Sequence, residues 1–283
     1  MSLISGRFTR GLAGFALAMV QVMALATPVL ADDAYPDWTG AWVRRQAGVF
    51  DPAKPAGREQ NPPLTEEYRK VFEKSLADQA AGGQGNNPMS ACVPPGMPRM
   101  MIAYGVGLEF VVTPKVTYVI LGEPMMQVRR IFTDGRAWKD DIEPAFTGYS
   151  IGKWDSTRKP GEFDALSVET RFIKGPRAYD SSGMPFHNDN STVVHEKIYL
   201  DAANPALLRN DMTTIDKALT RPWNTSREYH RKVNPVWQET TCGEDEHQVR
   251  IAGEHFYISG DGQLMPTRKG QSPPDLKYFT QQK

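Results

Sequence analysis

Between residues 110 and 216, short β-branched and aromatic runs alternate with turn signals, and this ladder constrains the chain more than any other feature. Apolar and polar side chains alternating over four to eight residues mark half-buried strands. Residues 108–113 and 116–121 read as strands joined through Pro114-Lys115, and 127–133 runs into Asp134-Gly135, a dipeptide that favours a type I′ hairpin turn. Residues 149–154 and 165–173 form a further hairpin across the polar tip 156–164, and 193–200 pairs with 207–215 around 201–205. Segments 227–232 and 236–242 follow, with 249–252 and 255–259 as additional strands. Roughly nine to eleven strands in an antiparallel meander suffice to close a barrel. The expected fold is all-β.

Residues 1–31 stand apart from that domain. Arg7 and Arg10 precede an apolar run over 12–26 that ends in Val29-Leu30-Ala31, the pattern of a secretory signal with small residues at its cleavage site. Asp32 is then the first mature residue, residues 32–283 form a single β-barrel domain, and the protein is periplasmic or secreted. Gln21 interrupts the apolar run and Pro28 follows it, which argues against a membrane span. Cys92 and Cys242 are the only cysteines, and in an oxidising compartment they pair as a disulfide. A thiol nucleophile is the alternative, but no His flanks either one. The chain carries 33 basic and 33 acidic side chains, so no field steers it to nucleic acid or anionic lipid. Oligomeric state is left open.

Ahead of the ladder lies one helix. Thr65 suits its N-cap, Glu66 and Glu67 suit the positive end of its dipole, and Tyr68, Val71, Phe72 and Leu76 recur at helical spacing before Gly82-Gly83. It is expected to pack on the barrel or plug its mouth. At the mature start, Gly40-Ala41-Trp42 resembles the Gly-x-Trp of the first strand of lipocalin-like barrels, where the Trp plugs the closed end. Residues 51–63, rich in proline, form a loop.

A broader resemblance rests on Cys92 with Pro94-Pro95-Gly96-Met97-Pro98-Arg99, on Arg129-Arg130-Ile131-Phe132-Thr133-Asp134-Gly135-Arg136, and on Gly148-Tyr149-Ser150-Ile151-Gly152-Lys153-Trp154. With residues 166–170, His187, Glu196 and Arg221-Pro222-Trp223, these motifs are similar to an uncharacterised family of exported bacterial β-barrel proteins. The match covers most of residues 64–242 and implies fold and export, not a reaction. The chain departs from the family in its longer turn at 156–164, in Asp216-Lys217 where Asp-Pro is expected, and in Asn188 after the His.

Strand alternation identifies polar groups that face inward. On 193–200 the face Val194, Glu196, Ile198 and Leu200 is the more apolar, so Glu196 points into the barrel. The same reasoning places Arg130 inward between Val128 and Phe132, and a buried carboxylate requires a cation or donor, so Arg130 is its expected partner. This pair is either a register-fixing ion pair or a polar anchor at the base of a ligand pocket. His187 lies in a loop near Asp180 and Asp189, where it is a general-base candidate, a plain loop residue, or, with Asp189 and His195, a ligand set lacking diagnostic zinc spacing. No metal or other cofactor is expected. Gly148-Tyr149-Ser150-Ile151-Gly152 satisfies the Gly-x-Ser-x-Gly elbow, but its flanks are strand on both sides rather than strand and helix.

The sequence reading is therefore an exported, lipocalin-like barrel that binds a small hydrophobic or aromatic molecule. Phe132, Trp154 and Trp223 would form apolar walls, methionines 97, 100, 101, 125 and 126 would add adaptable surface, and Arg130, Glu196 and His187 would orient polar groups. The alternative is a cofactor-free lyase, isomerase or hydrolase in which His187 and Glu196 move protons. An interaction module with a filled core is the third reading.

Overall fold

Nine strands whose inward side chains alternate with outward ones wrap into a closed barrel: β1 (Ala41–Arg44), β2 (Leu108–Val112), β3 (Val116–Leu121), β4 (Gln127–Phe132), β5 (Tyr149–Asp155), β6 (Ala165–Arg171), β7 (Val193–Leu200), β8 (Leu207–Ile215) and β9 (Trp223–Lys232). Each strand neighbours the next in sequence, and β9 closes the ring on β1. The computed structural model describes residues 35–44, 62–102, 107–122, 125–232, 234–237, 242 and 248–274. The expected export signal, most of the loop at 51–63 and His247 lie outside the described residues.

The meander has one irregularity. A ring of nine strands cannot alternate direction throughout, so at least one neighbouring pair must run the same way. That pair is β4 and β5, which align in parallel through only Ile131 opposite Ser150 and Phe132 opposite Ile151. Parallel neighbours need a crossover of a dozen or more residues, here residues 133–148. Asp134-Gly135 consequently does not form the expected hairpin turn; Asp134 Oδ1 instead accepts from the Arg136 N–H within this crossover.

The helix forms as its caps dictate. Thr65 Oγ1 accepts from the Tyr68 N–H at the start of α1 (Glu66–Ala80). Its Phe72 is buried with Ile102, Tyr179, Met184, Phe186, Leu219 and Trp223, a cluster that covers the barrel end where β9 begins.

The main core fills the barrel. It joins Trp42 of β1 to Phe110, Val119, Ile131, Leu166, Ile198 and Tyr229, and to Met97, Met100 and Met101 from the segment preceding β2. Those three methionines are fully buried, and the Tyr229 hydroxyl donates to the Met101 carbonyl oxygen. They act as filling for the barrel, whereas Met126, also expected near this wall, is 61% exposed.

The chain after β9 departs from the expected continuation. Residues 234–237 are not in a strand, and Val236 is exposed. A separate three-stranded sheet follows, β10 (Gln248–Ile251), β11 (Glu254–Ile258) and β12 (Leu264–Pro266). Its ties to the earlier chain include the Cys92–Cys242 disulfide just ahead of it, a contact of 3.0 Å between Ser90 Oγ and His255 Nδ1, and an ion pair from Arg268 to Asp78 of α1.

Candidate functional site

Glu196 points into the barrel, as alternation requires, and is fully buried. Its partner is not Arg130. Arg129, one residue earlier on β4, forms the ion pair, while Arg130 is exposed on the outer surface over the Tyr118 ring. The inward face of β4 is Gln127, Arg129 and Ile131; the outward face, Val128, Arg130 and Phe132, is the more apolar of the two. A buried charge network has taken the positions where apolar residues were expected. Apolar content therefore indicated the wrong face.

Arg129 is fully engaged. Its Nε donates to Ser150 Oγ at 3.0 Å, Nη1 donates to Glu196 Oε1 at 3.2 Å, and Nη2 donates to Thr170 Oγ1 at 2.8 Å and to Glu196 Oε2. Asn210 Nδ2 adds a bond of 2.9 Å to Glu196 Oε1. The Ser150 hydroxyl, the centre of the apparent elbow motif, lies mid-strand in this network. The belt spans β4 to β8, and both charges are satisfied, which suits a register-fixing pair.

The other expected wall and anchor residues fall in separate places. Phe132 lies outside the barrel, 5.1 Å from the Tyr149 ring and beneath the Arg136 guanidinium. Trp223 belongs to the cluster under α1, its ring 4.5 Å from that of Tyr179. Trp154 is in the main core.

His187 belongs to a third network. Its Nδ1 is 3.0 Å from Asp189 Oδ1, its backbone N–H donates to Asp216 Oδ1 at 2.9 Å, and Arg177 Nη2 donates to its carbonyl. Hydrogen bonds from Lys217 and then Ser191 hold the Asp189 carboxyl well below the usual carboxylate range. Among the described residues, no hydrogen-bond partner is common to His187 and Glu196. His195 is exposed on the outward face of β7 and does not join His187. Among the described residues, no group of three or more His, Cys, Asp or Glu side chains is arranged to hold a metal ion.

The structure gathers instead an aromatic cluster around Trp154 at the barrel end where β5 finishes. The Trp38 ring lies 5.0 Å from Trp154 and 5.3 Å from Phe110, while Tyr35 lies 5.4 Å from Trp154 and 5.1 Å from Phe163. The Trp38 and Trp154 indole N–H groups are both buried without a hydrogen-bond partner among the described residues. By contrast, the Trp42 indole donates to the Trp38 carbonyl at 2.9 Å. A cleft of about 350 Å³ adjoins Trp38, lined by residues 35–40 and 109–112. The segment leading into β1 is pinned by Arg231, which donates to Asp37 Oδ2 at 2.9 Å and to the Asp37 carbonyl.

Trp38, Tyr35 and Phe163 were not legible as site residues. Trp38 and Tyr35 precede β1 and Phe163 sits in a turn, so none lies on an alternating strand that would assign it a face. The Gly-x-Trp signal directed attention to Trp42, whose indole is already satisfied. Comparison with protein-family models, curated proteins and solved structures finds no match to this chain.

Proposed function

We propose that this protein is a periplasmic or secreted binder of a small aromatic molecule carrying hydrogen-bond acceptors, held at the Trp38–Trp154 end of the barrel. The observation that carries the reading is the pair of buried indole N–H donors without acceptors among the described residues, set in a ring-rich cluster. Leaving a buried donor unpaired costs about 1–3 kcal/mol, so two of them favour a guest that accepts from both. The flanking rings of Tyr35, Phe110 and Phe163 suit a planar apolar body. The adjoining cleft reaches the lower end of the size range for small-molecule sites, about 300–1,000 Å³. The disulfide fits an oxidising compartment, and among the described residues no helix is long and apolar enough to cross a membrane.

Native mass spectrometry of protein purified from its cell envelope is expected to show a retained aromatic adduct. Titration with small aromatic carboxylates and quinones is expected to quench tryptophan fluorescence, and Trp154→Phe, which keeps an aromatic ring but removes the indole donor, to weaken binding by about tenfold. Absence of both adduct and quenching, or equal affinity in the variant, sinks the reading.

A further inference from the structure

The outward faces of the barrel strands differ sharply in character. On β6 the outward residues are Ser167, Glu169 and Arg171, and on β9 they include Asn224, Ser226 and Glu228. On β2, β3 and β4 the corresponding positions hold Val111, Val116, Tyr118, Ile120, Val128 and Phe132. Val111 is 43% exposed and Val128 39% exposed. Solvated sheet faces are ordinarily polar, whereas this one carries two exposed valines among half-buried apolar side chains, which suits a contact surface. The patch also explains why β4 reads from its sequence as though turned inside out.

Two strand residues interrupt the face with charge, one of each sign, while Arg136, paired with Asp134, covers its Phe132 end. Glu109 lies on β2, in register with Ile120 and Val128; Arg130 lies on β4, in register with Tyr118 and Val111. They lie on opposite edge strands of the patch in adjacent rows, with Val116 and Phe132 one row beyond Arg130, and neither makes an ion pair among the described residues. A two-fold axis lying in the plane of the sheet, across the diagonal between them, would set each Glu109 over the Arg130 of a second copy. An isologous interface requires this kind of self-complementarity.

We infer that the β2–β3–β4 outer face is a homodimer interface, two copies stacking sheet on sheet with reciprocal Glu109–Arg130 pairs. By strand spacing and rise the face measures about 15 Å by 20 Å. That is below the roughly 800 Å² per partner of a standard interface, so association is weak and concentration-dependent. The face shares Glu109 and Val111 with the wall of the cleft beside Trp38, but pairing of two copies does not require that cleft to hold a guest.

Sedimentation equilibrium of the purified protein from micromolar to near-millimolar concentration tests it. The expected result is a reversible monomer–dimer equilibrium. Arg130→Glu and Glu109→Arg, each placing like charges opposite one another, should each weaken dimerisation by at least about tenfold, while the double reversal restores it to within about threefold. Both positions are on the surface, and circular dichroism checks that the variants retain the fold. A protein that stays monomeric throughout, as expected if another protein or a lipid surface covers this face, overturns the inference. So does a dimer indifferent to the single reversals, or one not restored by the double.

Discussion

Glu196 and Arg129 show how far a single side chain can be read. The inward aim of Glu196 was legible because its neighbours Val194 and Ile198 are apolar; Arg129 was not, because its own flanks on β4 are polar inside and apolar outside. Removing one partner of a buried pair leaves an uncompensated charge. Glu196→Ala is expected to lower unfolding free energy by about 3–5 kcal/mol in urea titration, and Arg129→Met with Glu196→Leu to recover much of that loss. A loss under about 1 kcal/mol for the single variant would mean the pair does not hold the barrel. At the exposed end of the molecule, hydrogen bonds from Thr39 and then Arg231 lower the Asp37 carboxyl from 3.8 to about 2. Its folded value is depressed, so its contribution is present above about pH 4 and is lost as pH falls through about 2. Acid titration followed by Trp38 and Trp154 fluorescence should therefore show the segment over residues 35–40 loosening in that window, and Asp37→Asn should loosen it at neutral pH.

At the level of elements, β3, β7 and β8 were legible to the residue, since strict alternation and clear turns define them. The parallel pairing of β4 and β5 was not, because Asp134-Gly135 carries a local turn preference that the crossover satisfies without a hairpin. That pairing contains only two residue pairs, and Arg129 reinforces it by reaching from β4 to Ser150 on β5 and Thr170 on β6. The glycine before β5 and the one within it have distinct physical roles. Gly148 adopts φ +66, and a Cβ there would meet Thr170 Cγ2 at 2.7 Å, so it permits the turn into the strand. Gly152 leaves room inside the barrel: a Cβ would lie 2.7 Å from Ile131 Cγ2 and 3.1 Å from Leu166 Cδ1. Gly152→Ala is expected to cost about 1–3 kcal/mol by overpacking, read as a lowered denaturation midpoint, and an unchanged midpoint would show that the neighbours yield freely.

For the whole molecule, the disulfide joins residues 150 apart in sequence. Cys92→Ser with Cys242→Ser is expected to reduce stability by about 2–5 kcal/mol, measured against the oxidised protein in guanidinium; equal midpoints would show that the link constrains little of the unfolded chain. The all-β class, the closed ring and the covering helix were legible from patterning, whereas the aromatic cluster at the barrel end came from residues outside any periodic element. The odd strand count has an architectural consequence. Taking away either member of the like-directed couple leaves eight strands in strict up-and-down order, because β6 opposes β4 as it opposes β5. The barrel is thus an even ring with one extra stave let in beside β4, and a chain shortened by the crossover and that stave would still have directions that permit it to meet its own tail.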